Sequence, residues 1–256
     1  MEISLLQIIA PILAIGLRVS GLMIFAPFFG SNVIPTQVKA MLTIALTAVL
    51  YPVYSTQAMN VSLTQWPVVV GSELLVGIAI GLTMNLAFEG AQLAGQILST
   101  QMGYSLVNIL DPTTQVESTV MAVFHQTLAM LIFLGLNVHQ WIVRGIANSF
   151  TYLPPGTATV NPMFVQALLH EGGAILETGV QLAAPVLGAT LLADFVLGLL
   201  SKASPQLPVM LLGTALKSML GIAVLLASLH YWPGLFEKYF RESITYSENL
   251  LHLARS

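Results

Sequence analysis

"PVVVGSELLVGIAIGLTMNLAFEGAQLAGQILSTQMG", residues 67–103, holds no proline after its first residue and no cluster of turn formers, so it reads as one uninterrupted helix. At a rise of roughly 1.5 Å per residue it would extend about 55 Å, far past a hydrocarbon core of about 30 Å. Its character also changes partway. Up to Phe88 it is mostly Val, Leu and Ile, interrupted by Glu73; beyond that point small and polar residues take over. Ala87, Ala91, Gly95, Ser99 and Gly103 recur every four positions, a ladder that lets another backbone come close. Asn85, Glu89, Gln92, Gln96 and Thr100 form a second, polar stripe at spacings of three and four. A helix end facing water would account for the stripe alone. The ladder favours a helix packed among protein neighbours, with the stripe turned to a wet lumen or to partner helices. Gly77 and Gly81 carry the packing theme upstream.

The rest of the chain shares this setting. Of its 256 residues 56% are hydrophobic and only 7% charged, with a mean hydropathy of +0.84, where a soluble domain carries about a quarter charged residues. Apolar runs fall near 5–29, 38–54, 67–88, 118–136, 176–200 and 207–232, with 138–150 a seventh possibility. Strand-like alternation is absent. The fold class expected is therefore an all-α integral membrane protein of about six long, kinked hydrophobic helices. No base precedes the first apolar run, which reads as mature protein rather than a cleaved signal. Arg144, Lys238, Arg241 and Arg255 on one side of six spans face Lys39 and Lys202 on the other, too small a difference to set an orientation.

Four charges fall inside apolar runs: Arg18, Glu73, Asp194 and Lys217. Such groups are functional candidates, though structural pairing is the commoner fate of each taken singly. For two of them the register supplies a partner. Asp194 lies eleven residues before Pro205 and Lys217 eleven after Gln206, so a hairpin turning at "SPQLP" sets both at one height. An Asp194–Lys217 pair follows, within the chain or matched by neighbouring subunits. Glu73 is one candidate partner for Arg18. Lys202, beside the turn, can reach lipid headgroups along its aliphatic stem.

After the long helix comes "QMGYSLVNILDPTTQVES", 101–118, whose Tyr104, Leu106, Val107, Ile109 and Leu110 are apolar and end on an Asp111–Pro112 turn. An apolar loop at membrane depth needs protein cover. It fills a gap between the chain's own helices, or it constricts a conduit; the residues alone leave both open.

Signs of catalysis are missing from the sequence. It holds no HExxH, no glycine-rich phosphate loop and no cysteine, and its His125 and His139 have no acid at ligand spacing. No cofactor, no metal and no nucleic acid are expected, since there is also no basic run.

Three stretches in order, "RVSGLMIFAPFFGSNVIPTQVKAMLTIAL" (18–46), 101–118, and "LLSKASPQLPVMLLGTALK" (199–217), resemble the FliR family of flagellar export-gate proteins, and the similarity runs over nearly the whole chain. Lys202 departs from the arginine expected before "ASPQ", which keeps the charge and loses a bidentate grip. The resemblance implies a multi-pass protein of the bacterial inner membrane, in the flagellar basal body. It implies FliP-like and FliQ-like subunits as partners in a helical assembly, FlhB-like and FlhA-like components nearby, membrane lipid, and unfolded flagellar export substrates. It divides the chain into a FliP-like unit, 1–165, and a FliQ-like hairpin with C-terminal tail, 166–256, with the junction near Pro162–Ala174. It also tips the loop at about 103–115 towards a plug that seals the closed conduit, with Gly103 at its start and the apolar residues as stoppers. Two other readings compete. A stand-alone ion or small-molecule transporter would use the buried charges but should show two similar halves, and an intramembrane enzyme would need the missing motifs.

Overall fold

The computed structural model describes residues 5–30, 34–55, 63–104, 119–204, 206 and 209–255. Every extended element among them is a helix. In chain order these are α1 (Leu5–Phe25), α2 (Thr36–Tyr54), α3 (Trp66–Gln101), α4 (Val120–Gly135), α5 (Val138–Tyr152), α6 (Pro162–Glu171), α7 (Ala174–Ala203), α8 (Val209–Ser228) and α9 (Trp232–Leu253). Short 3-10 turns precede α3 and follow α8. The all-α class read from the sequence holds.

Among the described residues, four stretches are long and apolar enough to cross a bilayer: Thr36–Tyr54, Trp66–Gln101, Pro162–Ala203 and Leu212–Leu253. The α4–α5 pair, bent by 69°, makes a fifth if taken as one broken span, and α1 adds a shorter apolar helix. The bend has a local cause. Asn137 adopts left-handed backbone (φ 56°), a conformation asparagine reaches more readily than most residues, and stops the helix before α5 restarts.

α3 keeps the length that the sequence implied. It runs 36 residues, about 54 Å at roughly 1.5 Å per residue, and closes on a glycine. Gly103 takes φ 84°, its N–H donates to the Thr100 carbonyl at 3.2 Å, and the Tyr104 N–H reaches back to the Ser99 carbonyl at 2.9 Å. That pair of bonds is a Schellman motif, which satisfies carbonyls a helix end would otherwise leave bare and requires a residue without a Cβ penalty.

By contacts the chain forms two units, each drawn from separate stretches. The first comprises 1–86, 134–172 and 239–256; the second comprises 87–133 and 173–238. α3 passes from one to the other between Leu86 and Ala87, two residues before its sequence turns from apolar to small and polar after Phe88. In the first unit α1 packs against α2, over a core that includes Ile15, Leu22, Ile142, Phe150 and Phe240. The start of α6 is tied to the end of α9 by polar contacts: Asn161 caps α6 by accepting from the Phe164 N–H and donates to the Leu253 carbonyl, both at 2.8 Å. In the second unit α7 and α8 form a hairpin, with Leu98, Met102, Phe133, Val186, Trp232 and Phe236 in the core.

Candidate functional site

Arg18 and Glu73 meet in the first unit. The guanidinium Nε donates to Glu73 Oε2 at 2.7 Å, and both side chains are fully buried. Arg18 Nη1 also donates to Ser149 Oγ at 3.1 Å and to the Leu153 carbonyl at 2.9 Å, while the cation stands 4.3 Å over the Phe150 ring. The second oxygen of Glu73 accepts the Gly156 N–H at 2.7 Å. Gly156 (φ 80°) supplies the left-handed residue of the "LPPG" turn that aims this N–H inward. One carboxylate thus joins α1, through Arg18, to the turn that follows α5. The cation is met by an anion, two hydrogen-bond acceptors and an aromatic face, as a buried charge requires.

Glycine makes the approach possible. A Cβ on Gly77 would run into the Arg18 carbonyl, one on Gly81 into the Leu22 carbonyl, and one on Gly21 into the Leu74 carbonyl. The backbones of α1 and α3 are therefore in direct contact along three small residues, in the manner of close helix pairs in membranes.

In the second unit Lys217 Nζ and Asp194 Oδ1 lie 2.9 Å apart across the α7–α8 hairpin, with side-chain exposures of 18% and 41%. The pair anticipated from hairpin register is present. Sequence gave no hint of the rest of the cluster. Gln101 Nε2 donates to Asp194 Oδ2 at 2.8 Å, and Ser218 Oγ donates to the Met102 carbonyl at 2.9 Å. Lys202 is exposed in the last turn of α7, where a cation favours the helix dipole.

The small-residue ladder of α3 faces inward. Ala87, Ala91, Gly95 and Ser99 are buried and Gly103 is half-buried. A Cβ on Gly95 would strike the backbone of Met121 and Ala122 in α4, and one on Gly90 the Thr178 side chain of α7. On the polar stripe Asn85, Glu89 and Gln92 are half-buried, while Gln96 and Thr100 are exposed. Gly90 was missed from the ladder because it lies off the four-residue spacing. Ser149 and Gly156 were missed because no local pattern marks a residue as partner to a charge more than eighty positions away.

Of the proposed plug, Gly103 and Tyr104 end α3 as described; Leu106, Val107, Ile109, Leu110, Asp111 and Pro112 lie outside the described residues. No group of three or more metal-ligating side chains occurs among the described residues.

Residues 9–243 match the family model for bacterial export proteins, family 1. The chain is 32% identical to the flagellar biosynthetic protein FliR of Escherichia coli over 230 residues, covering 88% of this chain and 87% of that one. It is 26% identical to FliR of Bacillus subtilis, with 98% of each chain covered. It is 29% identical to the secretion system apparatus protein SsaT of Salmonella typhimurium, over 65% of this chain and 64% of that one.

Proposed function

The chain belongs to the FliR family of bacterial export proteins, and we propose that, as a component of the flagellar type III export apparatus, it completes the wall of the conduit for unfolded flagellar substrates and helps to seal it. In this reading it breaks no bond. It sits as a multi-pass protein in the bacterial inner membrane, at the flagellar basal body, beside FliP-like and FliQ-like subunits with FlhB-like and FlhA-like components near.

One observation carries the reading. α3 is 36 residues long, and its C-terminal half buries a small-residue ladder while Gln96 and Thr100 remain exposed. A span bathed in lipid has no use for about 54 Å of helix, nor for an exposed amide and hydroxyl, each of which costs free energy in hydrocarbon. A helix that continues past the bilayer among protein neighbours, with a polar edge towards a wet lumen, accommodates both. The charges support the same conclusion. Arg18 is engaged by Glu73 and Lys217 by Asp194, so each of these charges has a structural partner within the chain.

The division into a FliP-like part, 1–165, and a FliQ-like hairpin, 166–256, and the sealing role of 103–115 rest on the family resemblance and form part of the proposal. An intact-mass measurement on the chain extracted in mild detergent tests it. A hetero-oligomer containing FliP-like and FliQ-like chains is expected. A stable, active single-chain species overturns the reading.

A further inference from the structure

We infer that Asp194 is a positioning residue that ties the α7–α8 hairpin to the last turn of α3, with Lys217 serving to aim it. The carboxylate is used on both sides. Oδ1 faces Lys217 Nζ at 2.9 Å and Oδ2 accepts from Gln101 Nε2 at 2.8 Å. The ion pair holds the carboxylate in one rotamer, and that rotamer presents the second oxygen to α3. One residue along α8 from Lys217, Ser218 donates to the Met102 carbonyl at 2.9 Å. One turn further, Gly221 leaves room for the Met102 side chain, whose Sδ would lie 2.8 Å from any added Cβ.

Gln101 and Met102 are therefore gripped from both arms of the hairpin, immediately before Gly103 turns the chain out of the helix. Met102 is buried, so packing contributes, but Gln101 is only half-buried and packing does not fix its amide. What fixes it is a hydrogen bond to a charged acceptor, which is stronger than one between neutral groups. A shift of the hairpin is thereby passed directly to the point at which the chain leaves α3. The inference rests on contacts inside the second unit and holds whether or not the chain lines an export conduit.

The sequence contains no cysteine, so Thr100→Cys and Leu199→Cys, both at exposed positions, allow paired spin labels on the purified full-length chain. The inter-label distance distribution should be narrow in this background. Gln101→Leu keeps the Asp194–Lys217 pair and removes the donor; the population with an undocked α3 end should rise about tenfold, the loss expected for one hydrogen bond to a charged acceptor. Gln101→Lys supplies a donor again and should retain the narrow distribution, while Asp194→Leu should broaden it as Gln101→Leu does. Gln101→Leu should melt slightly below Gln101→Lys, by no more than the loss of that one hydrogen bond accounts for. A distribution as narrow in Gln101→Leu as in the parent, or as broad in Gln101→Lys as in Gln101→Leu, overturns the inference. So does a loss of thermal stability in Gln101→Leu far larger than one hydrogen bond accounts for, because Gln101 would then act on general stability.

Discussion

Arg18 and Glu73, 55 residues apart in sequence, form an ion pair of 2.7 Å with neither side chain reaching the surface. Each also anchors the turn after α5, Arg18 through the Leu153 carbonyl and Glu73 through the Gly156 N–H. Removing one partner leaves the other as an uncompensated buried charge. Arg18→Met alone, or Glu73→Gln alone, should cost about 3–5 kcal/mol, whereas replacing both with apolar residues of similar volume should cost much less. Denaturant unfolding of the purified chain in detergent reads the difference. Equal losses for the single and double variants would show that the pair is not what the site depends on.

Gly71 and Gly77 lie on the same helix and should respond in opposite directions. Nothing stands within 4 Å of a Cβ built on Gly71, while one on Gly77 meets the Arg18 carbonyl. Gly71→Ala should therefore be neutral or stabilising by about 0.5–1 kcal/mol, through helix propensity. Gly77→Ala has to push α1 away from α3 and should lose about 1–3 kcal/mol. Thermal melts of the two variants in one detergent provide the comparison.

Across the α7–α8 hairpin, the Asp194–Lys217 pair is partly exposed, so breaking it should cost more than the roughly 1 kcal/mol of a surface pair and less than the roughly 3–5 kcal/mol of a fully buried one. The exchanged double variant, Asp194→Lys with Lys217→Asp, should recover assembly better than either single change. Yield of the detergent-extracted complex is the measurement. If the exchange recovers nothing, opposite charge across the hairpin is not the relevant interaction.

Shortening 104–110 should make the assembled gate leak small ions, because the segment supplies the apolar stoppers of the proposed seal. Single-channel conductance of reconstituted complexes distinguishes the outcomes. An assembly that forms normally and stays tight would remove the seal from the proposal while leaving the conduit wall in place.

Local pattern carried far in this chain. The span of α3 is visible in an unbroken run without proline, and the structure starts it at Trp66 and ends it at Gln101 with Gly103 as the closing residue. The Asp194–Lys217 pair was legible because a tight turn makes sequence offset equivalent to height along the hairpin. The Arg18 environment was only partly legible. Glu73 was a candidate because charges in apolar surroundings seek one another, but Ser149, the Phe150 ring and the Leu153 carbonyl come from α5 and the residue that ends it, 131 to 135 residues away. Gln101 was not foreseen at all, since a glutamine at a helix end gives no sign of which carboxylate it will meet.

By itself, then, the sequence determined that the chain is helical and apolar enough for a membrane, where its longest helix lies, and that two charges of opposite sign sit at one height in its hairpin. Each of these depends on periodicity, composition or a near-neighbour offset, and so on forces that act over a few residues. Tertiary structure alone decided which glycines receive another backbone, which partners a buried guanidinium meets, and what holds the last turn of α3. Those outcomes depend on how rods distant along the chain are juxtaposed, and steric fit between them has no signature in either rod alone.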